Sequence, residues 1–229
     1  MTGTSASSRR LLSVAVLLAV CAGSVRAQGA VSGRVSLQEK PGDAASDVAN
    51  TVIYLVPKGE RKLRPSAVRV AMAMNSRQFA PHVRVVTPGS AVSYPNEDPF
   101  SHNIFSTAAG FDLGTYGNGT AKAATFNKPG AYAVYCNIHA KMTAYVVVVP
   151  TPYYTTASAD GRWFIGGVPS GSWELHVWHE RAGDVVAPLE VTAAGVADVA
   201  TSLDARGYVS KPHMNKFGKE YTSSGKDRY

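Results

Sequence analysis

Ala131-Tyr-Ala-Val-Tyr-Cys136-Asn-Ile-His139-Ala-Lys-Met142 is the stretch that decides how the middle of this chain folds. Tyr132, Val134 and Cys136 alternate along one face of an apolar segment, as side chains do on a strand. The cysteine therefore ends this strand with its sulfur directed inward. The short loop that follows returns two more donors toward that sulfur, the imidazole of His139 and a thioether.

A further donor segment lies upstream, at Ser101-His102-Asn103. His102 precedes Ile104 by two positions on another short strand-like run, so its imidazole also points toward the core. One thiolate, two imidazoles and a weak axial thioether are the ligand set that electron-transferring copper prefers. The sequence therefore predicts a mononuclear site for one copper ion, cycling between Cu(I) and Cu(II). The predicted ligands are His102, Cys136, His139 and Met142.

Each of these residues also has an ordinary explanation when it is taken alone. A buried cysteine or methionine is commonly a core filler, and a single histidine is commonly structural. Structural zinc is the competing metal, but it prefers closed sites without a methionine. His176 and His179 lie three positions apart on a predicted strand and face opposite sides, so we expect structural or surface roles for them. His82 has no evident partner in the sequence.

Two segments of the chain resemble the plastocyanin and amicyanin branch of the cupredoxins, which are type 1 or blue copper proteins. The segments are Asn96-Glu-Asp-Pro-Phe-Ser-His102-Asn103-Ile-Phe and Tyr135-Cys136-Asn-Ile-His139-Ala-Lys-Met142. The resemblance runs from about residue 68 to residue 149 and includes the Lys128-Pro-Gly130 turn before the cysteine strand. It implies a Greek-key β-sandwich with copper bound at one end.

The resemblance also implies a role for each residue that matches the family pattern. His102, Cys136 and His139 match the strong equatorial ligands, and Met142 matches the long axial ligand. Asn103 matches an asparagine that links the first ligand strand to the cysteine loop by hydrogen bonds, in keeping with outer groups that orient metal ligands.

The composition predicts an all-β protein. The chain has 21 glycines, 13 prolines, many short Val, Ile and Tyr runs and no long amphipathic helix pattern. Seven short strands in the copper region suit a Greek-key sandwich. The predicted strands are 69–74, 83–86, 91–94, 102–106, 123–126, 131–136 and 144–149.

The flanks of the copper region carry a second pattern. Its segments are Val31-Ser-Gly-Arg-Val-Ser-Leu37, Val48-Ala-Asn-Thr-Val-Ile-Tyr-Leu-Val56, Asp160-Gly-Arg-Trp-Phe-Ile165, Val168-Pro-Ser-Gly171 and Ser172-Trp-Glu-Leu-His-Val-Trp178. They resemble the carboxypeptidase regulatory-like, transthyretin-type β-sandwich. We therefore expect a cupredoxin domain, residues 66–150, inserted into a discontinuous module formed by residues 28–62 and 152–203. The alternative is one enlarged sandwich, and a fragment 66–150 that fails to fold or to bind copper would favour that alternative.

Residues 1–27 have the pattern of a signal peptide. Arg9-Arg10 precede an apolar run that is too short to span a bilayer, and Val25-Arg-Ala27 offers a cleavage site before Gln28. We therefore expect a periplasmic protein, exported by either the general or the twin-arginine route. A lipid anchor at Cys21 is the minor alternative.

Removal of this leader simplifies the cysteine and charge inventories. Cys136 becomes the single cysteine, so an intrachain disulfide is impossible, and copper coordination would protect its thiol from oxidation. Loss of Arg9, Arg10 and Arg26 takes the formal charge from +7 to +4. Such a moderately basic exported protein is not expected to bind nucleic acid.

The last residues, 204–229, form a basic tail. From Arg206 onward they carry six Lys or Arg residues against two acids, with few apolar residues. This composition predicts a mobile segment that steers the protein toward an acidic partner or an anionic membrane surface.

The sequence as a whole predicts a one-electron carrier rather than an enzyme. Redox protein partners are expected to dock near His139, beside an apolar patch formed by Pro99, Phe100 and Ala140. Copper enzymes of this type need further copper centres, and the six histidines do not provide the pattern for them. The alternative is a copper-handling protein whose regulatory-like module attaches it to a partner. A carrier cycles quickly and retains its copper, whereas a handling protein yields copper to an acceptor.

Overall fold

The protein is described by a computed structural model that covers residues 1, 28–42, 47–59 and 62–221. This part of the chain is all-β, which confirms the predicted fold class: it contains seventeen strands and one short 3₁₀ helix, Val48–Asn50. Among these residues, no helix has the length and apolar character of a membrane span. The predicted signal peptide lies outside the described residues.

The strands, in chain order, are β1 (Gln28–Gln38), β2 (Val52–Pro57), β3 (Arg69–Ala71), β4 (Ala73–Asn75), β5 (Gln78–Ala80), β6 (Val83–Val86), β7 (Ser90–Pro95), β8 (His102–Ser106), β9 (Phe111–Tyr116), β10 (Ala121–Phe126), β11 (Gly130–Cys136), β12 (Thr143–Val148), β13 (Tyr154–Thr156), β14 (Arg162–Pro169), β15 (Gly171–His179), β16 (Gly183–Val191) and β17 (Val196–Asp204).

Strands from both ends of the chain share two sheets, which we call the flanking module. One sheet has the order β14-β1-β17, and the other has the order β13-β2-β15-β16. Strand β1 pairs antiparallel with β14 and parallel with β17, so residues far apart in sequence become neighbours. The chain therefore leaves this module after β2 and returns to it with β13.

The intervening strands, β3 to β12, form the copper region. Its larger sheet has the order β6-β12-β11-β8-β9, and a smaller sheet has the order β10-β7-β3. The hairpin β4-β5 lies beside them. Because β8 and β11 are adjacent, Cys136 pairs with Ile104, and the two segments expected to supply copper ligands meet at one end of the large sheet.

The predicted strands of the copper region correspond to observed strands, with one division. The predicted strand 69–74 is interrupted at Met72, between β3 and β4. Sequence reasoning did not identify β5, β9, β13, β16 or β17. Strand β9 contains Gly114 with a φ of 66°, a break that disguises the strand pattern in the sequence.

Apolar side chains fill three clusters. The core of the copper region includes Tyr94, Ile104 and Val134, each with no exposed surface, and the core of the flanking module surrounds Trp173. A third cluster joins the two, because Val147 and Val149 of the copper region pack with Trp178 of the flanking module. The Tyr145 and Trp178 rings lie 5.4 Å apart in this interface.

Candidate metal centre

Two imidazoles and one thiol converge where β8 and β11 end. The ligand atoms of His102, Cys136 and His139 all lie within 4.8 Å of one another. Nδ1 of His102 and Nδ1 of His139 are each 3.4 Å from the Cys136 sulfur. These three residues are the one group of potential metal ligands of this kind among the described residues.

The strand pattern explains why His102 faces this group. Strand β8 is buried along its whole length, so both of its faces are covered by protein. His102 and Ile104 lie on the face toward the core, whereas Asn103 and Phe105 lie on the opposite face. His102 has no exposed surface.

The second nitrogen of His102 is held by a carboxylate. Its Nε2 donates to Asp98 Oδ2 at 2.8 Å, which leaves the Nδ1 lone pair directed at the Cys136 side. Burial lowers the pKa of His102 in spite of this carboxylate, so the imidazole is neutral near pH 7 and its Nδ1 is available to a metal.

Asp98 is itself fixed by backbone groups. It accepts hydrogen bonds from the N–H groups of Ser76 at 2.6 Å and Arg77 at 3.0 Å. Burial would raise the pKa of the Asp98 carboxyl, but these N–H donors and His102 together lower it, so Asp98 is ionised near pH 7. Sequence reasoning assigned no role to Asp98. Its position four residues before the predicted ligand His102, in Asp98-Pro-Phe-Ser-His102, was the available signal.

Cys136 is buried and surrounded by backbone donors. Burial raises the pKa of its thiol, while the N–H groups of Ile138, Asn103 and His139 favour the thiolate. Three donors directed at one sulfur form a pocket that suits a sulfur carrying negative charge. Coordination of a cation would complete the stabilisation of the thiolate.

The ligand loop, residues 136–142, closes on itself. The Cys136 N–H donates to the Met142 carbonyl at 3.1 Å, and the Met142 N–H donates to the His139 carbonyl at 3.0 Å. Met142 is buried in the same apolar cluster as Cys136. His139 is half-buried, so it is the most accessible of the four predicted ligands.

Asn103 links the two ligand segments through its backbone. Its carbonyl accepts the Asn137 N–H at 2.8 Å, and its own N–H points at the Cys136 sulfur. The Asn103 side chain turns away and donates to Asp112 at 2.7 Å. The backbone of Asn103 therefore joins the two segments by hydrogen bonds, whereas its side chain bonds to Asp112 of β9.

Phe100 lies beside both imidazoles. Its ring centroid is 5.4 Å from that of His102 and 5.8 Å from that of His139, and the Arg77 guanidinium lies over the same ring, 5.0 Å from its centroid. Phe100 is half-buried and Pro99 is exposed, as an apolar patch requires, but Ala140 is buried. The expected contribution of Ala140 to this patch is therefore wrong, and the exposed apolar residue of the loop is Ile138.

His82 and His176 lie apart from this group. His176 stacks on Tyr54 at 4.5 Å and hydrogen bonds with Asp184. His82 Nε2 hydrogen bonds with Glu180 Oε1 at 2.6 Å, which links the copper region to the flanking module. Neither belongs to a cluster of three potential ligands among the described residues.

The C-terminal segment lies against the ligand loop. The predicted tail continues from β17 and packs on the copper region as far as Tyr221, the last residue described here. His213 hydrogen bonds with the His139 carbonyl, and Lys216 donates to Asn137. Sequence reasoning missed these contacts, because nothing in a basic, polar segment specifies which surface it covers.

Solved structures similar to this chain include cupredoxins. A purple cupredoxin from Nitrosopumilus maritimus is 21% identical over 35% of this chain and 99% of that chain, with a TM-score of 0.33. An amicyanin from Paracoccus versutus is 20% identical over 42% of this chain and 98% of that chain, with a TM-score of 0.32. No family model matches the chain, and no curated protein matches it. These similarities do not assign a family to the whole chain.

In the copper region, the adjacent strands β8 and β11 bring two imidazoles and one thiol together. The transthyretin-type resemblance of the flanking module stays a prediction.

Proposed function

We propose that this protein is an exported one-electron carrier with a single type 1 copper ion held by His102, Cys136, His139 and Met142. The observation that carries the proposal is the buried His-Cys-His group, with ligand atoms within 4.8 Å of one another. A bound copper ion would supply reversible one-electron chemistry between Cu(I) and Cu(II).

The donor set fits copper better than zinc. The nearest carboxylate, Asp98, is engaged by His102 and two backbone N–H groups, so it orients a ligand instead of completing a closed zinc site. A buried thioether next to the cysteine loop suits a soft metal.

The burial of the ligands favours electron transfer over copper delivery. His102 has no exposed surface and Cys136 is equally buried, so an acceptor protein has little access to either ligand. A site fixed in this way holds its ligands still while the oxidation state changes. The half-buried His139 then offers the route by which an electron reaches a partner.

The surface near His139 suits an acidic redox partner. Ile138 is 45% exposed and Lys141 is exposed, so an apolar contact and a positive charge lie on the same loop. Lys211 and Lys219, both exposed, add positive charge on the adjoining C-terminal segment. Opposite charges would accelerate a weak, short-lived encounter, and added salt would slow it.

Titration of the mature protein, residues 28–229, with Cu(II) tests the proposal through visible absorption and paramagnetic resonance spectra. We expect an intense thiolate-to-copper band that saturates at one copper per chain and disappears in Cys136→Ser. Met142→Ala should alter the band, whereas Met74→Ala should not, although both methionines are buried in the same cluster. Folded protein that binds Cu(II) without this band would contradict the proposal.

A further inference from the structure

The C-terminal segment, residues 207–221, which we call the C-terminal strap, makes a row of hydrogen bonds to the ligand loop. The backbone N–H of His213 donates to the Ala140 carbonyl at 3.2 Å. Both ring nitrogens of His213 face carbonyl groups: Nε2 lies 3.1 Å from the His139 carbonyl, and Nδ1 lies 2.8 Å from the Met214 carbonyl. One strap residue therefore engages the backbone of two consecutive loop residues, including a proposed ligand.

Two more strap residues extend this row toward the cysteine. The Lys216 N–H donates to Asn137 Oδ1 at 2.9 Å, and the Tyr221 hydroxyl donates to the Cys136 carbonyl at 3.2 Å. Four of the five residues from Cys136 to Ala140 thus present an oxygen atom within hydrogen-bond distance of a strap residue.

The His213 ring is held in an aromatic setting that fixes its orientation. It stacks on Tyr135 with centroids 4.5 Å apart and an interplanar angle of 28°. Phe105 lies 6.1 Å away and Tyr221 lies 5.4 Å away, both edge-on to the ring. Because its neighbours restrain the ring, its Nε2 stays directed at the His139 carbonyl.

The strap also reaches the other ligand segment. Lys216 Nζ pairs with Asp112 Oδ2 at 2.6 Å, and Asp112 Oδ1 accepts from the Asn103 side chain at 2.7 Å. Asn103 directly follows His102 on β8. The strap is therefore linked through Asp112 of β9 to the segment that carries His102.

We propose that the C-terminal strap positions the ligand loop, with His213 as its main positioning residue. The inference rests on the proposed function for its meaning, because the loop carries three of the four proposed ligands. A surface loop that is not tied down samples several conformations. Donors from the strap hold the loop carbonyls in one arrangement, and groups behind the ligands decide how well a metal site keeps its geometry.

The test compares two substitutions at His213 that separate its ring from its donor. His213→Phe keeps a ring to stack on Tyr135 but removes the donor to His139. His213→Gln supplies an amide N–H near the position of Nε2 but removes the ring. Tyr221→Phe removes only one hydroxyl, and it is the test variant to use if the His213 variants fold poorly. Val209→Ala, at a strap position that is 62% exposed, is the control.

The first measurement is amide hydrogen exchange of the ligand loop in the copper-free, full mature chain. We expect exchange about tenfold faster in His213→Phe, the factor that corresponds to one lost hydrogen bond, with recovery in His213→Gln. Tyr221→Phe should show a smaller increase, and Val209→Ala should match the wild type. Loop exchange in His213→Phe and Tyr221→Phe that equals the wild-type rate would overturn the proposal.

The second measurement is the reduction potential and visible spectrum of the copper-loaded variants. A shift in His213→Phe that His213→Gln reverses supports positioning, because general destabilisation would not be rescued in this way. If the wild-type protein lacks the thiolate-to-copper band, the proposed function fails, and the exchange measurement alone decides whether the strap positions the loop.

Discussion

His102 in the copper region and His179 in the flanking module both have no exposed surface. They differ in the contacts that their ring nitrogens make. His179 accepts the Arg181 N–H at Nδ1 and donates from Nε2 to the Asp47 carbonyl. His102 donates from Nε2 to Asp98, while its Nδ1 faces the Cys136 sulfur and the His139 ring. Burial alone therefore does not mark a metal ligand. The feature that separates the candidate ligand His102 from His179 is a lone pair directed at other potential ligands.

Replacing each of these histidines by glutamine should give the sharpest contrast. His102→Gln should lose the thiolate-to-copper band, because a neutral amide is a poor copper ligand. His179→Gln should keep the band but lower the free energy of unfolding by about 1–3 kcal/mol, since buried partners are left unpaired. Copper titration and urea unfolding check the two effects. Loss of the band in His179→Gln would contradict the assignment of a purely structural role to His179.

The ion pairs around His179 provide a second test. Arg181 pairs with Asp47 and with Glu39, whose side chain is largely buried. Arg181→Met should lower the free energy of unfolding by about 3–5 kcal/mol, because it leaves Glu39 buried without a cation. We expect copper affinity to be unchanged. Urea unfolding and a copper competition titration measure both quantities, and a change in affinity of tenfold or more would show that the flanking module influences the metal site.

The carboxylate that accepts the hydrogen bond from His102, Asp98, should affect copper affinity. Asp98→Asn weakens the acceptor for His102 Nε2, so copper affinity should fall about 10–100-fold. Glu97→Gln, at the exposed neighbouring position, is the matched control and should leave affinity unchanged. Competition with a chelator of known affinity measures the difference. Equal affinities for the two variants would mean that Asp98 does not orient the ligand.

The sequence by itself determined the all-β class and most strands of the copper region. It also identified the histidines and the cysteine that the fold brings together. These features are local, since alternation along β8 and β11 sets which side chains point inward, and the seven-residue loop fixes the spacing of three proposed ligands. The strand β9, interrupted by Gly114, escaped detection because its local pattern is broken.

Only the tertiary structure determined the contacts between segments that are distant in the sequence. The 2.8 Å contact of Asp98 with His102 requires the turn at residues 97–101 and the hairpin that carries Ser76 and Arg77. The contact of His213 with the His139 carbonyl joins residues 74 positions apart, through a segment whose sequence predicts only a mobile tail. Such contacts depend on which surfaces the packed sheets leave side by side, and no periodicity within either segment encodes that choice.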